Sequence, residues 1–105
     1  MDKNGLIHNS FAISPWMNVV LGLKGVDLMV FSVVYSVSRT GQGQYFGGTK
    51  YIKDIFGLHK SSVIDSFARL VEKKYLVKVE NYENKVYKPR YYANIKLIND
   101  LIENY

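Results

Sequence analysis

Residues 49–76 constrain the fold of this chain more than any other segment, because their apolar residues follow two helical patterns separated by a turn. In the first pattern, Ile55 and Phe56 follow Ile52 by three and four residues, so the three share one face of a helix. Gly57-Leu58-His59 then interrupts the periodicity. The second pattern consists of Val63, Phe67, Leu70 and Val71. The sequence therefore predicts two short amphipathic helices, the second with one buried face and one free face.

Two Val- and Tyr-rich segments follow these helices and predict an antiparallel β-hairpin. They cover residues 76–82 and 86–93, with Glu83-Asn84-Lys85 as a short turn. The last segment, residues 94–105, is expected to be a helix whose first turn is capped by Asn94. Its apolar stripe consists of Ile95, Ile98, Leu101, Ile102 and Tyr105. This stripe either packs on the core of its own chain or pairs with a second copy to form a homodimer.

The first half of the chain predicts a short helix, a long buried helix and a short strand. Pro15 suits the first turn of a helix that covers Trp16–Leu21. Residues 26–38 are apolar on nearly every side, which favours a buried central helix, although their valines also fit a strand. Tyr45-Phe46 predicts a short strand, and Thr49 can cap the helix that comes next.

The composition fits one domain and excludes several classes of protein. At 105 residues the chain can build one hydrophobic core, so residues 1–105 are expected to form a single domain. The chain contains no cysteine, which excludes disulfides and favours a cytoplasmic location. Residues 1–9 lack the pattern of a signal peptide, and the longest apolar stretch, residues 28–37, is too short to cross a bilayer. We therefore expect no membrane association.

Positive charge is concentrated in the middle of the chain. The net charge is +5, and residues 49–92 contain ten basic and five acidic side chains, whereas the two flanking segments are nearly balanced. This distribution indicates an anionic partner that approaches from one side. The simpler alternative is a solvated basic surface without a partner.

The sequence offers no arrangement that is typical of an active site. Histidine occurs only at His8 and His59, cysteine is absent, and no Gly-x-Ser-x-Gly motif is present. The glycines between residues 41 and 48 are not followed by the Gly-Lys-Ser/Thr of a phosphate-binding loop. We expect a protein that is not an enzyme and that uses no cofactor, metal or small-molecule ligand.

The predicted order of elements is that of a winged helix-turn-helix domain. This α+β fold is mainly helical, with a small antiparallel β-hairpin as its wing and, here, a C-terminal helix. The helix-turn-helix would cover about residues 49–74, the wing about residues 76–93, and the last helix about residues 94–105.

Residues 11–95 resemble the N-terminal winged-helix domain of phage and plasmid replication initiators and replisome organisers from low-GC Gram-positive bacteria. The similar motifs are GVDLMVF from Gly25, FGGTKYI from Phe46, and LVEKKYL from Leu70. The resemblance implies that the protein binds double-stranded DNA during replication initiation. A small transcriptional repressor and a protein-interaction module are the alternatives.

Two positions depart from the family pattern. Lys74 stands where the family usually has a glycine after the recognition helix, and a left-handed conformation there costs a non-glycine residue roughly 1 kcal/mol. Either Lys74 accepts this strain or the helix ends differently. His59 replaces the usual Ser or Thr cap, so Ser61 could cap the helix instead and shift its start by two residues.

The free face of the second helix holds the first group of candidate DNA contacts. Lys60 and Arg69 are the strongest candidates, because they can bind base edges or phosphates. Asp65 either accepts a hydrogen bond from cytosine or pairs with Arg69. His59, at the turn, either contacts a phosphate or has a structural role. The residues expected on this face are Lys60, Ser61, Ser62, Asp65, Ser66, Arg69 and Lys73.

Further candidates come from the first helix of the motif and from the hairpin. Lys50 and Lys53 are expected to hold the phosphate backbone. The hairpin contributes Lys85, Lys88 and Arg90, with Lys78 nearer its base, and its tip could reach a flanking phosphate or the minor groove. The hairpin tyrosines are expected to pack across the strands rather than to stack on bases. These tyrosines are Tyr82, Tyr87, Tyr91 and Tyr92.

Overall fold

The computed structural model describes residues 12–39 and 43–105, and this part of the chain has an α+β fold, as predicted. Predictions about the N-terminal segment and about Gly41 lie outside the described residues. The helices are α1 (Pro15–Val19), α2 (Gly25–Arg39), α3 (Gly48–Phe56), α4 (Lys60–Glu72) and α5 (Ile95–Glu103). The strands are β1 (Leu76–Val79), β2 (Tyr82–Glu83), β3 (Val86–Tyr87) and β4 (Arg90–Ala93).

Helix α2 forms the centre of the core, which confirms the prediction of a buried helix rather than a strand. Its fully buried apolar side chains are Val30, Phe31, Val33 and Val34. Trp16 of α1 packs against α2, with its ring centroid 6.0 Å from that of Phe31 and 5.0 Å from that of Tyr35. Ser38 connects α2 to the hairpin, because its Oγ accepts a hydrogen bond of 2.8 Å from the Ala93 amide.

Helices α3 and α4 are joined by the predicted turn at residues 57–59. Gly57 ends α3 with a φ of +64°, a left-handed conformation that glycine adopts without steric cost. The Leu58 amide then donates to the Lys53 carbonyl oxygen over 3.0 Å. Helix α4 packs against both α2 and α3, so the turn fixes the direction in which α4 leaves the core.

Strands β1 to β4 form one interrupted hairpin. At its base, β1 pairs antiparallel with β4, from Leu76 opposite Ala93 to Val79 opposite Arg90. At its tip, β2 pairs with β3. Asn84 and Lys85 alone form the turn, with φ angles of +49° and +65°, so Glu83 belongs to a strand and not to the turn as predicted. Two left-handed residues give the twist that a two-residue hairpin turn requires.

The short strand predicted at Tyr45-Phe46 is reduced to a single bridge. The backbone of Tyr45 pairs with that of Tyr91 through two hydrogen bonds of 2.6 and 2.9 Å. The Tyr45 hydroxyl donates to the Gly48 carbonyl oxygen over 2.6 Å. These bonds attach the segment before α3 to the base of the hairpin.

The helix caps agree with the sequence only in part. Asn94 caps α5, as predicted, because its side chain accepts from the Leu97 amide over 3.3 Å. Thr49 does not cap α3: the helix begins at Gly48, and Gly47 occupies the cap position. The alternative cap at Ser61 is also wrong, because α4 begins at Lys60 with His59 as an extended N-cap that makes no side-chain cap bond.

Lys74 accepts the left-handed conformation that the family pattern assigns to glycine, with a φ of +67°. Its amide donates to the Val71 carbonyl oxygen, and the Tyr75 amide donates to that of Leu70. This pair of bonds closes the end of α4 as a Schellman motif. Helix α4 therefore ends where the resemblance implies.

The apolar stripe of α5 packs mostly on the core of its own chain. Ile98 is fully buried, and Ile95 and Leu101 pack against the core. Ile102 and Tyr105 remain exposed. Dimerisation through this helix stays a prediction.

Candidate nucleic-acid interface

The buried face of α4 differs from the predicted one at Ser66. The buried residues of this helix are Val63, Ser66, Phe67 and Leu70. Ser66 was expected to be exposed, and this prediction is wrong. Because Ser66 follows Val63 by three residues and precedes Leu70 by four, it shares their face, which packs against α2. Ser66 therefore cannot reach DNA, and Ser62, on the same side of the helix, is half-buried.

Arg69 is held by α2 and does not pair with Asp65. Its Nη2 atom donates to Oδ1 of Asp27 over 2.7 Å, and its Nε atom lies 3.2 and 3.1 Å from the two carboxylate oxygens. The Arg69 side chain is 50% exposed, whereas that of Asp27 is only 14% exposed. The Arg69 guanidinium is therefore already paired, although one side of it still faces solvent.

The surroundings of Asp27 favour its ionised form. Burial alone would raise the pKa of this carboxyl group, but the hydrogen bonds from Arg69 and the charges of Arg69 and Lys73 outweigh that effect and lower the pKa below its ordinary value. Ser66, Arg69 and Lys73 thus lie towards α2. Two of the predicted DNA contacts, Ser66 and Arg69, serve the packing of α4 on α2.

The outward face of α4 is not strongly basic. The residues on consecutive turns opposite the core are exposed, and they are Ser61, Asp65, Ala68 and Glu72. Asp65 and Glu72 place two carboxylates there. Lys60 supplies positive charge at the first turn, next to the exposed side chain of Ile64. The N-terminal end of the helix is therefore the end that suits an anionic partner.

Three predicted contacts do come together where α3 meets α4. Lys50, Lys53 and Lys60 line a depression of about 220 Å³, together with Thr49. Asp54 pairs with Lys50 over 2.7 Å and with Lys53 over 3.3 Å. The hydrogen bond from Lys50 has the largest effect on the pKa of Asp54. Together with the bond from Lys53 it outweighs desolvation and lowers this pKa. One carboxylate thus pairs with two of the three lysines, which leaves a net positive charge at the depression.

The hairpin carries a second group of cations. Glu83 pairs with Lys88 over 3.6 Å and with Arg90 over 3.7 Å, so a single carboxylate is again shared by two cations. The Lys78 ammonium lies 5.4 Å from the centre of the Tyr87 ring. Lys85 is exposed at the tip, as predicted.

Two of the four hairpin tyrosines pack across the strands, as predicted. Tyr82 lies opposite Tyr87 in the strand register, and their ring centroids are 5.3 Å apart. Tyr91 packs on Phe67 of α4 with a centroid distance of 4.3 Å. The contact between Tyr91 and Phe67 joins the base of the hairpin to α4.

Thr49 lies where three depressions of the surface meet, and it lines all three. Besides the depression beside Lys53 and Lys60, it lines a cleft of about 410 Å³ between α4 and the hairpin, where Ile64, Ala68 and Lys78 lie. It also lines a groove of about 500 Å³ between the start of α3 and the hairpin. We call this region the basic surface and define it by five lysines. They are Lys50, Lys53, Lys60, Lys78 and Lys88.

Not all predicted contacts lie on the basic surface, and one aromatic residue was missed. His59 and Ser61 are exposed beside it, at the start of α4, whereas Lys73 lies on the α2 side. Phe46 was not among the predicted contacts, yet its ring is exposed in the groove, with the Arg90 guanidinium 5.7 Å from its centre. An aromatic residue directly before two glycines was the available signal.

Comparison of the chain with models of protein families, with curated proteins and with solved structures found no significant match. Among the described residues, no helix is both long enough and apolar enough to traverse a lipid bilayer.

Proposed function

We propose that this protein is a winged-helix domain that binds double-stranded DNA, with α4 as the recognition helix and the hairpin as the wing. The order of α3, turn, α4 and hairpin supports this fold. The observation that carries the proposal is the basic surface, in which Lys50, Lys53 and Lys60 surround one depression and Lys88 lies in the adjoining groove. A row of lysines along a concave surface matches the charge of a phosphate backbone.

In the proposed complex, α4 enters the major groove with its N-terminal turns. Lys60 and Ser61 lie at this end, where their side chains can reach base edges or phosphates. Asp65, one turn later, is suited to accept a hydrogen bond from the amino group of cytosine. Glu72 lies at the other end, where its charge would repel phosphates, so the C-terminal turns are expected to remain outside the groove.

The elements beside α4 supply contacts that do not depend on sequence. Lys50 and Lys53 of α3 bind the backbone on one side of the groove, and Lys88 and Lys85 of the wing bind it on the other. Arg69 is not needed for base recognition in this arrangement, because its guanidinium is held by Asp27.

We further propose that the biological context is DNA replication initiation of a phage or plasmid, in the cytoplasm of a bacterial cell. This part of the proposal rests on the resemblance of residues 11–95. Selection of bound fragments from a pool of random duplexes tests it, because the recovered sequences can be compared with replication origins and with promoter regions.

The DNA-binding proposal is tested by the salt dependence of binding to a duplex. For every phosphate that a variant no longer neutralises, the slope of log K against log salt concentration is expected to become less steep by about 0.9. For Lys50→Gln combined with Lys60→Gln we expect weaker binding and a slope that is less steep by up to about 1.8, measured by fluorescence anisotropy.

Lys96→Gln is the matched control. Lys96 is an exposed lysine of α5 that does not line the basic surface, so its replacement removes a positive charge without removing a proposed contact. The proposal is wrong if the double variant binds with the same affinity and slope as the unchanged protein, or if Lys96→Gln has the same effect.

A further inference from the structure

We propose that the groove between the start of α3 and the wing binds an unpaired nucleotide of a single-stranded DNA segment that adjoins the bound duplex. The groove has a volume of about 500 Å³, which falls within the range of small-ligand pockets, roughly 300–1,000 Å³. The inference rests on the proposed function, because that function places duplex DNA beside the groove. The binding of an unpaired nucleotide depends on the aromatic and basic side chains of the groove itself.

Phe46 forms one wall of this groove. Its side chain is 69% exposed, although large apolar side chains normally gain free energy by burial. The backbone beside it is fixed, because Tyr45 bonds to Tyr91 through its main chain and to Gly48 through its hydroxyl. The Phe46 ring is therefore held in solvent by a braced segment.

Tyr87 lines the groove from the wing. It is 41% exposed and packs beside Tyr82 in the antiparallel pair of β2 and β3. Phe46 and Tyr87 each have a cation near the ring, Arg90 at Phe46 and Lys78 at Tyr87. Exposed aromatic rings among cations are the combination with which proteins bind single-stranded nucleic acid, since each base can stack on a ring.

Two lysines complete the chemistry of the groove. Lys50 and Lys88 both line it, and their side chains are 82% and 59% exposed. Asp54 and Glu83 offset their charges only in part, because each carboxylate also faces a second cation. The groove therefore presents cations for a phosphate next to aromatic surface for a base.

A nucleotide fits this combination only when its base is unpaired. Inside a duplex both faces of a base are covered by its neighbours, so Phe46 could stack only on a base that has left the helix or that belongs to a single strand. An apolar peptide would not use the two lysines, and a phosphate alone would not use the two rings. An unpaired nucleotide uses both.

The experiment compares three DNA molecules that share one duplex. The first has blunt ends, the second carries a single-stranded thymidine tail, and the third carries a tail of abasic residues, which has the phosphates but no bases. We expect the thymidine tail to tighten binding by roughly 5- to 100-fold relative to the abasic tail, as stacking of one base would do. Equal affinity for the two tailed molecules would overturn the inference.

Variants assign this gain to the groove. In Phe46→Ala we expect the gain from the thymidine tail to disappear, while affinity for the blunt duplex changes by less than about twofold, because this ring serves stacking on the unpaired base. Tyr105→Ala is the control, since it removes another exposed aromatic ring, which lies at the C-terminus and outside the groove. A gain that persists in Phe46→Ala contradicts the inference.

A spectroscopic measurement separates stacking from a change of fold. The sequence contains one tryptophan, Trp16, so Phe46→Trp adds a single new fluorophore in the groove. We expect the thymidine tail, but not the abasic tail, to quench this added fluorescence. Unchanged fluorescence with both tails would count against the groove as the site.

The two proposals can fail separately. If the blunt duplex does not bind, the proposed function is wrong, and a thymidine oligonucleotide with an abasic oligonucleotide as reference then tests the groove alone. If the blunt duplex binds in a salt-dependent manner and the two tails give equal affinities, the groove inference is wrong and the duplex-binding proposal stands.

Discussion

At the scale of single residues, Lys74 stores strain that a substitution can release. Its φ of +67° lies in the left-handed region, which costs most residues roughly 1–2 kcal/mol and costs glycine little. The side chain is exposed, and only the backbone of Lys74 takes part in the Schellman bonds and in the bond that Asn94 donates to its carbonyl oxygen. A glycine would keep all of these bonds.

We therefore expect Lys74→Gly to raise the free energy of unfolding by up to about 1 kcal/mol, measured by urea denaturation. Lys73→Gly is the matched control. Lys73 has a φ of −73°, so glycine there brings only the entropy of a more flexible unfolded chain and should lower stability. Equal destabilisation by both substitutions would show that the left-handed conformation of Lys74 is not strained.

At the scale of elements, the Asp27–Arg69 pair couples α2 to α4 and should give folding a defined pH dependence. The pKa of Asp27 is lowered in the folded state, so its ionisation stabilises the fold above the ordinary pKa of 3.8, and this stabilisation is lost as the pH falls through the folded-state value. Because half of the Arg69 side chain is exposed, the effect should stay below about 1 kcal/mol.

The test compares Asp27→Asn with the unchanged protein in urea denaturation across the acidic range. We expect the variant to be less stable at neutral pH, and the difference to shrink towards acid, where Asp27 itself becomes protonated. Asp65→Asn is the control, since this carboxylate lies on the outward face of α4. A stability difference for Asp27→Asn that stays constant between neutral and acidic pH would contradict the account.

Helix α4 shows why the sequence predicts the positions of helices and turns better than it predicts which face of a helix is buried. Apolar residues at helical spacing located α3 and α4, and glycine at position 57 located the turn between them. Ser66 was misassigned because its polarity suggested exposure, whereas its position between Val63 and Leu70 determines its burial. Asp27 lies far from Arg69 in the sequence, so no local pattern could reveal that pair.

The candidate site was predictable to a similar extent. The excess positive charge in residues 49–92 indicated the segment that forms the candidate site, and Lys50, Lys53 and Lys60 do lie together. Their grouping with Lys88 and Phe46 depends on the backbone bridge between Tyr45 and Tyr91. That bridge joins segments distant in sequence, so the groove became visible only in three dimensions.

At the scale of the whole molecule, the position of charge limits how a duplex would approach in the proposed complex. The outward face of α4 carries Asp65 and Glu72, while the lysines lie to one side of it, along the start of α3 and the wing. In the proposed complex, α4 would therefore lie tilted in the major groove, with its N-terminal end deepest. Most of the apolar stripe of α5 is used by the core of the same chain, so a second copy would find mainly Ile102 and Tyr105.

These two observations predict the stoichiometry of the complex. The two exposed side chains of the α5 stripe fall far short of the roughly 800 Å² per partner that a stable interface usually buries, so we expect no dimer through this helix and a single copy on the duplex. If all five lysines of the basic surface each neutralise one phosphate, the slope of log K against log salt concentration should be about −4.5. Sedimentation of the protein with a short duplex gives the number of copies, and the salt titration gives the slope.

A cooperative dimer would roughly double this slope and would favour palindromic targets. Ile102→Glu distinguishes the cases, because a charge at this exposed position should leave the slope of a single copy unchanged but should separate two copies that meet through α5. A slope no steeper than about −1 would mean that the lysines of the basic surface do not contact the DNA backbone. A steep slope that Ile102→Glu reduces by half would instead show that two copies bind together, with α5 as the contact between them.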